Sequence, residues 1–289
     1  MEYYDSSWLA DLWRPSKTTG KFDSGQVTII GGGKLFHGAP ILALKAVSRI
    51  VGMVYFSTPS EQKEIADLIK ANLASFIWVP RGEVGMYIEK SQAVLIGPGL
   101  MRSHPGNDGG LTCDEYGRDT HEITMELFSR FPDSKWVIDG GSLQVIRAED
   151  LPRGSVITPN NKEYEMLFRE ELSGSLEEKG AQIMRKAQAY RITILYKGSE
   201  AIVSDGERVV VVNGGGEGGV KGGGGDVIAG VAVGLLAKND AILASSSAVY
   251  LVKMATVRLN QRQAEMFNSD DLADEVAKVY GESIDIYRK

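Results

Sequence analysis

Short β-forming runs alternate with helical stretches from residue 27 to about residue 200, and this alternation constrains the fold more than any other feature. Seven runs are predicted as strands: Val27–Ile30, Met53–Ser57, Ser75–Val79, Ala93–Ile96, Lys135–Ile138, Ser155–Ile157 and Thr193–Tyr196. Six stretches are predicted as helices: His37–Ile50, Ser60–Asn72, Glu83–Ser91, Thr120–Phe131, Lys162–Glu171 and Leu176–Tyr190. Strands with little polar alternation are typical of a parallel sheet covered on both faces. We therefore predict a three-layer α/β/α fold with a mostly parallel central sheet.

The last third of the chain departs from this alternation. Ala201–Ser204 and Arg208–Val212 are predicted to form a β-hairpin, because Asp205-Gly206 between them is a tight-turn signal. Three helices are predicted to follow: Asp226–Ala237, Asp240–Gln263 and Asp270–Val279. No break in composition divides the chain, so we expect residues 1–289 to form a single domain in which residues 1–20 are an N-terminal extension.

Four predicted strands end in turns made of glycine or proline. The turns are Gly31-Gly32-Gly33, Gly97-Pro98-Gly99, Asp139-Gly140-Gly141 and Thr158-Pro159-Asn160. Ligands of open parallel sheets bind at the carboxyl ends of the strands, so the recurrence predicts a large site at this edge. The first turn lacks the full G-x-G-x-x-G pattern, which disfavours a dinucleotide-binding Rossmann site.

The segment Asn213–Gly230 contains ten glycines in eighteen residues. Its run Gly222–Gly225 leads into Asp226 and then into Val227–Ala237, which has no polar side chain. A glycine loop that enters a buried helix offers free backbone N–H groups at the positive end of the helix dipole, which suits phosphate. A carboxylate beside bound phosphate indicates a base that takes a proton from an attacking hydroxyl. The alternative is a flexible connector in which Asp226 is only a helix N-cap.

Charge and composition exclude several other classes of function. The net charge of −6 and the isoelectric point near 5.3 disfavour a nucleic-acid partner. The single cysteine, Cys113, cannot form an internal disulfide and is interpreted as an incidental loop residue, which fits a cytoplasmic protein. The N-terminus lacks the features of a signal peptide, and no apolar run is predicted to span a membrane.

Residues 101–119 form a long polar stretch after the second turn. Loops of this length are usually lids, binding loops or disordered segments. We predict a mobile flap or an interface loop here, with disorder as the alternative.

Several segments together resemble the ADP/ATP-dependent NAD(P)H-hydrate dehydratase family, a carbohydrate-kinase-like branch of the ribokinase-like superfamily. They are residues 27–46, 94–100, 137–143, 156–167, 194–203, 218–230 and 248–255, and the resemblance spans about residues 20–280. It implies a ribokinase-like fold and a metabolite-repair reaction. In that reaction the 6-hydroxyl of hydrated NADH or NADPH (NADHX or NADPHX) is phosphorylated by ADP or ATP, and phosphate is then eliminated.

The resemblance also implies roles for particular residues. Asp226 corresponds to the catalytic base and contacts the substrate, whose other implied contacts are Ala39, Gly99, Asp139 and Asn160. The implied nucleotide-binding residues are Lys197, Gly198, Ser199, Glu200, Ala201, Gly222, Gly223, Gly224 and Gly225. Asn160 and Glu163 match an N-x-x-E pattern that organises Mg²⁺ through water. The family further implies a homo-oligomer, often a tetramer. The epimerase domain that the family often carries upstream is absent from this sequence, so any epimerase is expected to be a separate protein.

Two departures from the family pattern leave alternatives open. Asn160-Asn161-Lys162-Glu163 stands where many bacterial members have His-Pro-Gly-Glu, and Gly224 replaces the usual threonine of the glycine loop. A small-molecule kinase of the same fold and a nucleotide-binding protein without catalysis are therefore the alternative functions. Structural alternatives also exist: Lys197 could be solvated, Asn160 could be only a helix cap, and Glu163 could only stabilise a helix dipole.

Overall fold

The computed structural model describes residues 1–59, 63–102, 104–105, 111–112, 115–215 and 221–286. Within these residues ten strands form one sheet, and two short strands form a second. The strands are β1 (Glu2–Tyr3), β2 (Gln26–Ile30), β3 (Met53–Thr58), β4 (Ile77–Pro80), β5 (Ala93–Ile96), β6 (His104–Pro105), β7 (Leu111–Thr112), β8 (Trp136–Ile138), β9 (Val156–Ile157), β10 (Thr193–Tyr196), β11 (Ala201–Ser204) and β12 (Val209–Val212).

The large sheet has the order β1-β12-β11-β10-β9-β8-β5-β2-β3-β4. Neighbouring strands are parallel, except that β11 is antiparallel to both β10 and β12. Strand β2 lies inside the sheet, where Ile29 pairs with Phe56 of β3 and with Leu95 of β5. The predicted mostly parallel sheet and the hairpin in the C-terminal half are both confirmed.

Helices cover both faces of this sheet. They are α1 (Gly38–Val47), α2 (Lys63–Ile69), α3 (Val84–Ile88), α4 (Glu115–Arg130), α5 (Gly140–Leu143), α6 (Asn161–Phe168), α7 (Leu176–Tyr190), α8 (Gly224–Leu236), α9 (Ala241–Gln263) and α10 (Ser269–Ile286). One apolar core lies between the sheet and α1, α8, α9 and α10, and a second lies between the opposite face and α3 to α7. Successive side chains of a strand point to opposite faces of the sheet, so Ile29 packs in the first core and Ile30 in the second. The three-layer prediction is confirmed.

Close packing of α8 on α1 positions the helix that follows the glycine loop. A Cβ added to Gly230 of α8 would lie 2.5 Å from the carbonyl oxygen of Ala43 in α1. No larger residue fits at this distance, so Gly230 lets the two backbones approach. The beginning of α8 is thereby held next to the β2–α1 turn.

The first thirteen residues pack onto the rest of the protein. Strand β1 pairs with β12, and Leu9 and Leu12 are buried in the core of the α8–α10 face. The backbone N–H of Trp13 donates a 2.7 Å hydrogen bond to Asn239 Oδ1. The segment predicted as an extension therefore contributes an edge strand and core side chains.

Some predicted boundaries differ from the structure. The predicted strand Ser75–Val79 lies at Ile77–Pro80, and α4 begins at Glu115, so the end of the predicted loop 101–119 is helical. Residues 106–110, Cys113 and the start of the predicted helix at residues 60–62 lie outside the described residues. Helix α5 was not predicted, because four residues are too few to show a helical period.

Helix α9 is long and apolar enough to cross a membrane by length and composition, although the sequence analysis predicted no such segment. It is the one such helix in the described ranges, and 72% of its apolar window is buried inside the protein. Its apolar residues therefore form core packing.

Candidate active site

The four predicted turns lie side by side at the carboxyl ends of β2, β5, β8 and β9. The N–H of Gly32 donates a 2.9 Å hydrogen bond to the carbonyl of Pro98, and the N–H of Gly141 donates a 3.1 Å bond to that of Gly97. Gly97 has a φ of 118°, and a side chain there would collide with the backbone of Asp139. Only glycine permits this approach. The turns form one continuous rim, as the sequence predicts.

Lys197 and Asp139 meet at the centre of this rim. Lys197 Nζ lies 2.6 Å from Asp139 Oδ1, which also accepts a 2.7 Å hydrogen bond from Thr158 Oγ1. Only 13% of the Lys197 side chain and 3% of the Asp139 side chain are exposed. Burial alone would lower the pKa of Lys197, but the charges of Asp139 and Glu163 outweigh burial and raise it. The alternative of a solvated Lys197 is therefore wrong.

Helix α8 begins two residues earlier than the sequence predicts. Gly223 is its N-cap, with a φ of 99°, and a side chain at this position would collide with Leu42. Gly224, Gly225 and Asp226 form the first turn. The alternative in which Asp226 is the N-cap is wrong, because the left-handed backbone of Gly223 already ends the loop. Glycine is a poor helix former, so composition alone placed the boundary too late.

Asp226 is a carboxylate held in a largely buried, charged environment. Burial and the negative charge of Asp139 raise the pKa of Asp226 to about 7. The positive charge of Lys197 opposes this rise. Its ammonium lies beside the first turn of α8, since a Cβ added to Gly225 would lie 3.1 Å from Lys197 Nζ. Glu163 adds to the rise and Arg102 opposes it. A carboxylate with this pKa can exchange a proton near neutral pH.

Asn160 and Glu163 form a capping box at the start of α6. Asn160 Oδ1 accepts a 3.0 Å hydrogen bond from the N–H of Glu163, and Glu163 Oε2 accepts one of 3.0 Å from the N–H of Asn160. The other carboxylate oxygen, Oε1, accepts a 3.1 Å bond from Gln144 Nε2. Glu163 is 5% exposed, and burial raises its pKa. Asn160 therefore caps α6, and its role at Mg²⁺ and at the substrate stays a prediction.

An open cleft of about 670 Å³ lies beside the first turn of α8. Its polar edge includes many of the residues implied to bind nucleotide: Lys197, Gly198, Ser199, Ala201, Gly224 and Gly225. Asn160 lines it as well. Its apolar side is formed by Ile228, Val249, Val252 and Leu272. The cleft therefore has an apolar wall, which suits the purine of a nucleotide, and a glycine-lined helix terminus, which suits phosphate.

The other predicted site residues lie around this cleft. Glu200 lines a separate cavity of about 40 Å³. The carbonyl of Gly222 accepts a 2.7 Å hydrogen bond from Ser269 Oγ, which anchors the loop before the N-cap. Gly99 packs closely on the carbonyl of Phe36, which places the second turn against the segment leading to Ala39 in the first turn of α1. Within the described ranges, no group of three or more His, Cys, Asp or Glu side chains is arranged to hold a metal ion.

The family model of NAD(P)H-hydrate dehydratase matches residues 27–278, most of the chain. The chain belongs to the NAD(P)H-hydrate dehydratase family. An ADP-dependent (S)-NAD(P)H-hydrate dehydratase of Cenarchaeum symbiosum is 30% identical over 232 residues, which cover 79% of this chain and 78% of the relative. Other relatives are bifunctional NAD(P)H-hydrate repair enzymes, and the chain spans about half of their length.

Solved structures show the same fold. A ribokinase-like superfamily protein of Enterococcus faecalis superposes with a TM-score of 0.81 at 20% identity, covering 98% of this chain and 96% of that one. The ADP/ATP-dependent NAD(P)H-hydrate dehydratase of Bacillus subtilis, co-crystallised with ATP/Mg²⁺, gives 0.78 at 17% identity and covers 98% of both chains. The predicted ribokinase-like fold is confirmed.

Other residues of this dehydratase-family site were given no role from the sequence, although Thr158 lies in one of the predicted turns. Thr158 and Gln144 bond the buried carboxylates, and Arg102 acts on the charge of Asp226. Their short-range sequence context carries no signal of these contacts. The sequence does give a signal for Lys253, because it is the only charged residue in the apolar stretch 248–255. It lines the cleft, as does Lys221.

Proposed function

We propose that this chain dehydrates hydrated NADH or NADPH at the cost of a nucleotide, as the family resemblance implies. The observation that carries the proposal is the environment of Asp226, which combines burial, a pKa of about 7 and a place in the first turn of a glycine-capped helix. Asp226 removes the proton of the substrate 6-hydroxyl as the hydroxyl oxygen attacks the terminal phosphorus of ADP or ATP, and AMP or ADP leaves. Orthophosphate and a proton of the adjacent ring carbon are then eliminated, which restores the ring double bond.

The first turn of α8 stabilises the charge that develops during phosphoryl transfer. The first N–H groups of an α-helix have no partner within the helix, and Gly224 and Gly225 leave this helix end without side chains. Oriented N–H groups at such a terminus stabilise negative charge without reorganisation. Lys197 adds a buried positive charge beside Gly225.

The charges of the site fit a divalent cation. Asp226 lies near two buried carboxylates, Asp139 and Glu163, and among the described residues the cations that act on Asp226 are Lys197 and the exposed Arg102. Both oxygens of Glu163 already accept hydrogen bonds, which favours a role through water over direct coordination. We therefore propose that Asn160 and Glu163 hold the hydration shell of Mg²⁺. When bound, Mg²⁺ would offset the charge of the nucleotide phosphates.

The same proposal assigns the two sides of the rim to the two reactants. The cleft at Lys197–Ala201 holds ADP or ATP, with Gly222–Gly225 at its phosphates. The hydrated dinucleotide lies on the other side of Asp226, against Ala39, Gly99 and Asp139, and Asn160, which also lines the cleft, contacts both reactants. The positions of two turns support this assignment. Gly99 packs against the residues that lead into α1, and Asp139 forms an ion pair with Lys197.

The test is an incubation with NADHX and either ADP or ATP. Recovery of NADH absorbance together with orthophosphate is expected, and a stable phosphoester would indicate a small-molecule kinase instead. Asp226→Asn should abolish turnover while the nucleotide still binds, whereas near-wild-type turnover would refute the role of Asp226. Nucleotide binding without turnover in the wild-type protein would indicate the non-catalytic alternative.

We further propose that the protein acts in the cytoplasm as a homo-oligomer, a tetramer in keeping with the family. The family resemblance supports this proposal. Light scattering coupled to size-exclusion chromatography measures the oligomeric state directly, and a monomeric mass would refute the tetramer.

A further inference from the structure

Lys253 bridges two parts of the cleft that are far apart in sequence. Its ammonium donates 2.7 Å hydrogen bonds to the carbonyl of Ser199 and to the carbonyl of Val212. Ser199 lies in the turn between β10 and β11, and Val212 is the last residue of β12 before the glycine-rich segment. One side chain on α9 therefore ties both walls together.

The surroundings of Lys253 are apolar. It lines the cleft together with Val249, Val252 and Ile228. Such apolar side chains suit the flat face of a purine, whereas the glycine terminus of α8 suits phosphate. An unsatisfied buried carbonyl is costly, so loss of Lys253 would leave the part-buried carbonyl of Val212 to find another partner, and it would release the exposed turn at Ser199 from α9.

We propose that Lys253 is a positioning residue for the nucleoside part of the nucleotide, acting through the shape of the cleft that its two hydrogen bonds maintain. The inference rests on the proposed function, because it takes the cleft to be the nucleotide site. It assigns a role in nucleotide binding to a residue of α9 that belongs neither to the glycine loop nor to the nucleotide-binding residues implied by the family.

The ionisation of Lys253 provides an independent measurement. Burial lowers the pKa of Lys253 to about 8, and the charge of Glu200 on the β10–β11 turn opposes this effect. Lys197 and Lys221 line the same cleft, and Asp226 follows its glycine edge. An ammonium bonds carbonyls more strongly than a neutral amine does. Affinity for a nucleoside should therefore fall as the pH rises above about 8.

The experiment measures the affinity of adenosine and of ADP for the wild-type protein, Lys253→Met, Lys253→Arg and the control Lys63→Met. Lys63 lies on α2 with 60% of its side chain exposed. Lys253→Met should weaken adenosine and ADP by the same factor, about tenfold, with kcat at saturating nucleotide unchanged. Lys253→Arg should recover part of the affinity, and Lys63→Met should behave as the wild-type protein.

Each other outcome overturns the inference. Unchanged affinity, a loss confined to ADP, or a fall in kcat at constant KM would each exclude a role at the nucleoside. A decline in adenosine affinity above about pH 8 that persists in Lys253→Met would assign the titration to another group. If Lys253→Met does not fold, a flat pH profile of adenosine affinity in the wild-type protein overturns it instead. Failure of the wild-type protein to bind adenosine or ADP would refute the nucleotide site itself.

Discussion

Lys197 and Asp139 form a buried ion pair across β9, with 2.6 Å between Nζ and Oδ1. The two residues follow β10 and β8, so the pair joins strands that are not neighbours in the sheet. Glu163 and Asp226 also act on the charge of Lys197. The lysine implied to bind nucleotide therefore also holds together the carboxylates beside it.

Lys197→Met should destabilise the protein by about 3 kcal/mol, because it leaves the buried Asp139 without its compensating charge. Urea unfolding near neutral pH measures the free energy of unfolding directly. The double variant Lys197→Met with Asp139→Asn removes both charges and should recover a large part of the loss. Equal destabilisation of the single and double variants would show that the charge of Asp139 is not the cause.

The pH dependence of kcat/KM should follow the ionisation of Asp226. A general base works only when it is deprotonated, so activity should rise as the pH passes upward through about 7. The gain from about pH 6 to about pH 8 should be roughly tenfold. Arg102→Ala should move the profile to higher pH, because the guanidinium of Arg102 lowers the pKa of Asp226. The exposed Arg118 of α4 provides the control, and an equal displacement in Arg118→Ala would argue against the effect.

Asp226→Asn should stabilise the fold at alkaline pH although it removes activity. The pKa of Asp226 is raised from 3.8 to about 7, so the folded state prefers the protonated form. Stability from this group is complete below about pH 4 and is lost as the pH rises through about 7. The neutral asparagine avoids that loss, which is on the order of 2–4 kcal/mol. Urea unfolding at about pH 8 should show the gain and at about pH 4 should show little. A less stable variant at about pH 8 would contradict the raised pKa.

The sheet and the rim could be predicted because their signals are local. Parallel strands covered on both faces are continuous apolar runs, and the turns between them need glycine at positions such as Gly97, where the backbone approaches Asp139. The residues of the rim could therefore be named before their contacts were known. The resemblance to the family then supplied roles that periodicity alone does not carry.

The contacts within the site depend on strand order, which the sequence does not reveal. Lys197 reaches Asp139 because β9 lies between β8 and β10, and Lys253 reaches Ser199 because α9 packs under the hairpin. Asn160 and Glu163 show a second difficulty. An N-x-x-E pattern predicts a capping box as readily as a magnesium site; the structure shows the capping box, and the magnesium role stays a proposal.

The start of α8 provides a matched pair of glycine substitutions. Gly223→Ala should destabilise the protein by about 2–3 kcal/mol, because Gly223 has a left-handed backbone and its added methyl group would collide with Leu42. Turnover should fall with it, since Asp226 lies three residues farther along the same helix. Gly222→Ala is the control for stability: nothing lies within 4 Å of an added Cβ, so its free energy of unfolding should stay within about 0.5 kcal/mol of wild type. Urea unfolding compares the two variants, and similar losses of stability would show that the left-handed backbone of Gly223 and the contact with Leu42 are not the cause.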